Sequence, residues 1–314
     1  MQTAKITVVG AGFVGMTCAQ RAAQEELASE VCLIDVRAGR AKGIALDLAQ
    51  AAAIEGYGTR LVGTGDPADT ADSDVVIVTA GKPRTPGMSR SDLLETNGRV
   101  MRSVAEYIRE RSPEATVIVV TNPLDSMVAL MRHELGFPAR RVIGMAGVLD
   151  AARFSLFLAD ATGTGVADVD AMVLGAHGDS MVPVAEFCTI AGIPAPAMLS
   201  RDEIDALADR TRAGGAEIVK LLETGSAFYA PASASVAMAA SILRDEKRCM
   251  PCAAMLNGEY GIEGLYMGVP VILGSRGVER IVEVPLSTDS RIALQKTAGA
   301  VARDLEQLRE LGLM

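Results

Sequence analysis

Residues 6–15 read Ile6-Thr7-Val8-Val9-Gly10-Ala11-Gly12-Phe13-Val14-Gly15, a short β-prone run followed at once by G-x-G-x-x-G. In a chain with 31 glycines that triplet arises easily by chance. Its place, closing an apolar run and opening a helical pattern, carries the information. Gly10 permits a tight turn, Gly12 lets main chain approach a pyrophosphate, and Gly15 lets the helix lie close to the strand. The helix start then offers free N–H groups and a partial positive charge to phosphates. A sharp strand-to-helix turn would by itself also use glycines, so a second feature must separate the two readings. Asp35 supplies it, ending the next apolar run, Val31 to Ile34. A carboxylate there accepts both ribose hydroxyls and repels a 2′-phosphate, which points to NAD rather than NADP. Arg37, two residues on, pulls the other way.

Working outward, further runs at Val75 to Val78, Val117 to Val120 and Val142 to Ile143 are nearly continuous in Val, Ile or Leu. Strands apolar on both faces belong in a parallel sheet covered by helices. Between them Leu93, Asn97, Val100, Met101, Val104, Tyr107 and Ile108 keep one helical face inward, with Ser91-Asp92 as capping candidates and Pro113 beyond the end. Strand alternating with helix predicts an α/β fold, a Rossmann-type doubly wound parallel sheet, over residues 1–145. Residues 146–314 mix the two. Helical stretches at 148–160, 201–222, 226–243 and 288–311 are interleaved with strand runs near 169–174, 250–257, 267–273 and 278–284, and Asn257-Gly258 is a turn signal. This predicts a C-terminal α+β substrate domain. The last helix carries the stripe Leu294, Ala298, Val301, Leu305, Leu308 behind Ser287 or Thr288 as N-cap. No repeat or flexible linker intervenes, so a small-molecule cleft between the halves is expected.

The 314 residues include 30 Lys+Arg and 39 Asp+Glu, a net charge of −9, with 49% hydrophobic and 22% charged residues. A chain of this length buries roughly 75% of its unfolded surface and needs no staple. The acidic balance argues against nucleic acid or an anionic membrane as partner. Two histidines exclude a multi-histidine metal centre, and no metal is expected. With no signal peptide, no long apolar segment and an odd set of five scattered cysteines, the expectation is a cytoplasmic protein.

His177 sits in Leu174-Gly175-Ala176-His177-Gly178-Asp179-Ser180, after a strand run and between glycines that would leave its ring accessible. A lone histidine is more often structural than catalytic. His133, beside Arg132 and Glu134 in a helical pattern, reads as a solvated helix-face residue.

Further stretches stand with these: Gly81-Lys82-Pro83-Arg84-Thr85-Pro86-Gly87-Met88-Ser89-Arg90, Val120-Thr121-Asn122-Pro123-Leu124-Asp125, Leu149-Asp150-Ala151-Ala152-Arg153, and Leu256-Asn257-Gly258-Glu259-Tyr260-Gly261. Together with Gly10 to Gly15 and Gly175 to Pro183 they make the chain resemble the malate/lactate dehydrogenase family over essentially its whole length, and within it the lactate-dehydrogenase-like malate dehydrogenases of bacteria. The resemblance implies catalytic roles for His177 as proton acceptor, Asp150 as the carboxylate orienting it, and Arg90 as the loop cation polarising the carbonyl. It implies that Arg84, Arg90, Asn122 and Arg153 bind substrate, with Arg153 holding the carboxylate next to the reacting carbon. NAD would be held by Gly10, Ala11, Gly12, Phe13, Val14, Gly15, Asp35, Asn97, Val120, Thr121 and Asn122.

In the family, lactate dehydrogenases usually carry Gln where this chain has Arg84, and Thr where it has Ala227. Arg suits the second carboxylate of oxaloacetate, and the smaller Ala leaves room for it. The implied function is reversible hydride transfer between (S)-malate and NAD in the tricarboxylic acid cycle. The alternatives are a dehydrogenase for another 2-hydroxy acid such as lactate, and a non-catalytic NAD-binding sensor. The loop bearing Arg84 and Arg90 reads as a lid. The resemblance also implies a homo-oligomer, dimer or tetramer. The segment Gly43 to Leu48 matches an interface helix of the family, but fits an ordinary sheet-covering helix equally. Cys249-Met250-Pro251-Cys252 is a C-x-x-C without a second pair or a nearby histidine, which favours a structural role over zinc or redox chemistry.

Overall fold

A computed structural model describes residues 3–83 and 88–314. The first half runs β1 (Lys5–Val9), α1 (Phe13–Gln24), β2 (Glu30–Ile34), α2 (Ala38–Glu55), β3 (Arg60–Thr64), β4 (Val75–Val78), α3 (Arg90–Arg111), β5 (Thr116–Val119), α4 (Leu124–Leu135), β6 (Val142–Gly144) and α5 (Ala146–Thr162). Its six strands are parallel in the order β3-β2-β1-β4-β5-β6. The order reverses between β1 and β4, the place where open α/β sheets bind ligands at the strands' carboxyl ends. Ile6, Val8, Val31, Leu33, Ile77 and Ile118 are fully enclosed, each such side chain contributing about 1.5–3 kcal/mol on burial. That accounts for the unbroken apolar runs.

β3 is the strand that patterning does not reveal. It lies at the sheet edge, paired with β2 only, and its Arg60-Leu61-Val62-Gly63-Thr64 is mostly half-buried, so selection for an apolar run is weak. Gly63 is there for packing: a Cβ would come 2.3 Å from the Ala41 carbonyl oxygen of α2.

The second half runs β7 (Val169–Asp170), β8 (Val173–Leu174), β9 (Val182–Pro183), β10 (Thr189–Ile190), β11 (Ile193–Pro194), α6 (Arg201–Leu222), α7 (Tyr229–Leu243), β12 (Arg248–Asn257), β13 (Glu263–Gly274), β14 (Gly277–Ile281) and α8 (Thr288–Glu310). β12, β13 and β14 extend the parallel sheet antiparallel, joined to it where Ala253 pairs with Gly144. The expected strand at 169–174 is two short strands in two separate small sheets. Asn257-Gly258 does not make a two-residue hairpin. A 3₁₀ turn over Glu259–Gly261 follows it, and the Tyr260 hydroxyl, donating to Val282 O at 2.9 Å and accepting from Val284 N at 3.1 Å, pins that turn to the chain after β14.

α3 begins at a capping box two residues ahead of Ser91. Ser89 Oγ accepts the Asp92 N–H at 3.1 Å and Asp92 returns the bond to Ser89 N at 3.0 Å. α8 starts from Ser287, and its Leu294, Ala298, Val301, Leu305 and Leu308 are all buried. Cys249 and Cys252 lie on one strand, β12. Three residues of extended chain separate their Cα atoms by about 10 Å, beyond disulfide reach, and no cluster able to hold a metal occurs among the described residues. No helix among them is long and apolar enough to cross a membrane.

Candidate active site

The carboxyl end of β1 turns through Gly10, whose φ is +103° and where a Cβ would lie 2.9 Å from Ala80 N after β4. The loops of the two strands flanking the switch point therefore touch. A Cβ on Gly15 would fall 1.8 Å from Gly10 O, so α1 can approach the turn only with glycine there. Gly12 differs: no described residue lies within 4 Å of a Cβ added to it, and this N-cap gives α1 no side-chain cap. The main chain at Gly12 thus faces open space, with the helix-start N–H groups that follow it available to phosphate oxygens. Asp35 closes the far side. Its Oδ2 accepts the Ala11 N–H at 2.7 Å and its Oδ1 the Arg37 N–H at 2.9 Å, with the Arg37 guanidinium 3.5 Å away. Burial raises its pKa, but these hydrogen bonds and the cation outweigh burial and hold it below the usual value. A dinucleotide fits this cradle: a free helix start, an open glycine, and a fixed carboxylate at the end of β2.

A second cluster lies at the end of β8. Asp150, 1% exposed on α5, places Oδ2 2.8 Å from His177 Nδ1 and Oδ1 3.3 Å from Arg153 Nη1 one helical turn on. The first contact sets the neutral ring as the Nδ1–H tautomer, leaving a lone pair on Nε2. Burial lowers the His177 pKa, but the Asp150 carboxylate beside the ring, helped by Asp125, more than restores it and leaves it raised. Arg153 is mostly enclosed, and its Nε has no hydrogen-bond partner among the described residues. Gly214 and Gly215 of α6 make its room, since a Cβ on Gly214 would sit 3.2 Å from Arg153 Cδ.

Of the two glycines flanking the Ala176-His177 pair, Gly175 anchors the loop. Gly175, with φ +87°, exchanges two main-chain bonds with Gly268 of β13 at 2.8 and 3.0 Å. Ala176 N donates to Thr297 Oγ1 of α8 at 3.1 Å, and His177 N donates to Asp125 Oδ2 of α4 at 3.0 Å. Three elements far apart in sequence hold this loop. His133 is exposed on α4, as its charged neighbours suggest.

Other expected site residues divide. Asn97 is fully buried on α3, and its amide is committed to main chain: Oδ1 to Lys82 N at 2.8 Å, Nδ2 to Lys82 O at 3.1 Å and to Asn122 O at 2.7 Å. Asn97 thereby ties Lys82 of the 81–83 segment to the loop after β5. In that loop Thr121 donates to Ala80 O at 2.7 Å, Val120 N to Val78 O at 2.9 Å, and Asn122 is exposed. Arg90, the first residue of α3, makes a two-pronged pair with Asp304 of α8, at 2.8 Å (Nε–Oδ1) and 2.5 Å (Nη2–Oδ2), and does not touch His177 or Asp150. Arg84 lies outside the described residues. Ala227 is half-buried before α7, and the next residue, Phe228, stacks on Phe13 at 5.2 Å, bringing that segment against the dinucleotide loop. Asp125, Asp304, Thr297 and Phe228 were not foreseen. Asp125 alone had a signal, an acidic residue among apolar ones just after Pro123. A cavity of about 560 Å³ lined by Asp72, Asp74, Thr116 and Arg141 lies at the strands' amino ends, away from both clusters.

Residues 4–144 match the NAD-binding domain of lactate/malate dehydrogenase and residues 147–311 its alpha/beta C-terminal domain. A malate dehydrogenase of Rhodopirellula baltica is 52% identical over 303 residues, 96% of each chain, and one of Caulobacter vibrioides is 50% identical over 316 residues, 99% of this chain and 98% of its own. Among solved structures, the malate dehydrogenase of Salinibacter ruber superposes with a TM-score of 0.94 at 45% identity, covering 98% of both chains. The lactate dehydrogenase of Cryptosporidium parvum, complexed with lactic acid and nicotinamide adenine dinucleotide, superposes at 0.95 with 39% identity, covering 98% of this chain and 99% of its own. With both halves matched in order and relatives aligned along almost the full length, the chain belongs to the lactate/malate dehydrogenase family.

Proposed function

We propose that this protein is an NAD-dependent malate dehydrogenase interconverting (S)-malate and oxaloacetate. The observation that carries the reading is the buried Asp150 shared between His177 Nδ1 and Arg153, a proton acceptor and a carboxylate anchor held by one side chain. His177 takes the hydroxyl proton at Nε2 as the alcohol is oxidised, and Asp150 stabilises the resulting imidazolium. Bound NAD supplies the hydride acceptor for the same carbon. Arg153 clamps the adjacent carboxylate. Arg90, turned from Asp304, polarises the carbonyl oxygen in the reverse direction, where negative charge grows. Asn122 reaches substrate and cofactor, Val120 and Thr121 line the nicotinamide side, and Gly10 to Gly15 with Asp35 hold the pyrophosphate and ribose.

Backbone likeness does not choose the substrate, since malate and lactate dehydrogenases superpose equally well on this chain. The choice of malate is supported by Arg84, by Ala227 and by relatives at about 50% identity bearing that name. A charge-assisted hydrogen bond contributes about 1.5–3 kcal/mol, or roughly 10- to 150-fold. Arg84→Gln is therefore expected to shift the oxaloacetate-to-pyruvate ratio of kcat/KM by about that factor, measured by NADH absorbance with both substrates. An unchanged ratio removes Arg84 from the substrate site. A division at 145/146, a cytoplasmic location and assembly as a dimer or tetramer belong to the same reading, the last checked by sedimentation.

A further inference from the structure

The chemistry above leaves one enclosed titratable group beside the reacting centre without a task. Asp125 is the second residue of α4 and 5% exposed. Its Oδ2 accepts the His177 main-chain N–H at 3.0 Å, while its Oδ1 is enclosed without a hydrogen-bond partner among the described residues. An ionised carboxylate with one orphaned, enclosed oxygen is costly, and a proton on that oxygen removes the charge and most of the cost. The N-terminal end of α4 and the neighbouring imidazole favour ionisation instead. Burial wins over these pulls and pushes the carboxyl up to about 7.

The charged groups facing this pair come from four other directions. Asp150 and Arg153 of α5 flank the ring, Asp179 follows His177 in its own loop, Arg90 approaches from α3, and Asp304 of α8 pairs with Arg90. Asp150 holds the ring of His177 and Asp125 holds its backbone, so two carboxylates fix a single histidine.

We propose that Asp125 is a positioning residue of the proton-transfer unit, seating His177 through its main-chain N–H and sharing a proton equilibrium with the imidazole. No proton passes directly between them; the link is electrostatic. An ionised Asp125 makes His177 hold its proton more tightly, and a protonated His177 makes Asp125 release one, so the pair titrates in two overlapping steps. The inference rests on His177 being the proton acceptor proposed above.

The chain has only two histidines, and His133 is exposed, so the Cε1–H signals of both can be followed by NMR in the full chain from about pH 5 to 9 without substrate. His133→Gln assigns them. In the wild type, His177 is expected to titrate over a wider range than one proton allows. In Asp125→Asn, which keeps an acceptor for the main-chain bond, the curve should sharpen to one proton and its midpoint fall by about half a unit or more, with His133 unmoved. A one-proton curve for His177 in the wild type overturns the proposal whether or not the variant folds, and so does an unchanged midpoint in the folded variant. A protein that titrates as expected but does not oxidise malate overturns the proposed function and not the coupling.

Discussion

The glycine loop follows β1 of the large sheet, the His177 cluster follows β8 of a small separate sheet and draws on α4 and α5, and the two are built in opposite ways. Around Gly10 to Gly15 the defining contacts are main-chain: Gly10 against Ala80, Gly15 against the Gly10 carbonyl, Ala11 N–H on Asp35. Around His177 they are enclosed charges, with Asp125, Asp150 and Arg153 all largely withdrawn from water. The first region requires missing side-chain volume, and the second requires a charge balance that volume does not report. Each should therefore fail under a change the other tolerates.

His177→Asn is the largest such change. The amide preserves polarity and approximate size but cannot take the hydroxyl proton, so kcat is expected to fall about 10²- to 10⁴-fold, while the NADH dissociation constant, measured by fluorescence, stays within about twofold. A parallel loss of NADH affinity would mean the two regions are not separable. Gly15→Ala is the converse. The added methyl must displace the Gly10 carbonyl from 1.8 Å, an overpacking that costs about 1–3 kcal/mol, lowering Tm and weakening NADH binding together. A variant with wild-type Tm would show that the turn can yield where the contact says it cannot.

The same contrast explains what could be read in advance. Glycine spacing, apolar runs and the α8 stripe are local and periodic, so the parallel strands β1, β2, β4, β5 and β6, the glycine turn after β1 and the last helix were legible. β3 was not, because an edge strand half in water needs no apolar run. His177, Asp150 and Arg153 became legible only through family resemblance, since 27 residues separate His177 from Asp150 and no periodicity links them. The supports of the site are less visible still. Asp125 meets His177 across 52 positions and Arg90 meets Asp304 across 214, contacts set by how α4 and α8 pack. Asn97 reads as a ligand contact from the family resemblance, and its amide tie to Lys82 and Asn122 is visible only in the packing of α3.

A smaller effect separates the regions by pH. The raised pKa of His177 means that its pairing with Asp150 stabilises the fold below the unfolded value of about 6.5 and that this increment is lost as pH rises through the folded value. The lowered pKa of Asp35 has the opposite sign: its increment is present above about 3.9 and is lost as pH falls through the folded value. Thermal midpoints should therefore show His177→Asn costing more at about pH 5.5 than at about pH 9, and Asp35→Asn costing more at about pH 7 than at about pH 3. A reversed order for either would contradict the charge states assigned here.

The finest test concerns Gly12, whose φ of −76° and ψ of −175° any residue can adopt and whose added Cβ would meet no described residue within 4 Å. By shape alone this glycine is unnecessary to the protein, in contrast to Gly15 three positions on. Replacing it with alanine trades about 0.5–1 kcal/mol of N-cap preference against a similar gain from a stiffer unfolded chain, so stability should move by no more than about 0.5 kcal/mol. The methyl would instead occupy the space assigned to the pyrophosphate, and NADH affinity should fall about tenfold. Unchanged Tm with weakened NADH binding means the vacancy beside Gly12 serves the dinucleotide and not the fold, whereas unchanged binding would move the pyrophosphate elsewhere along α1.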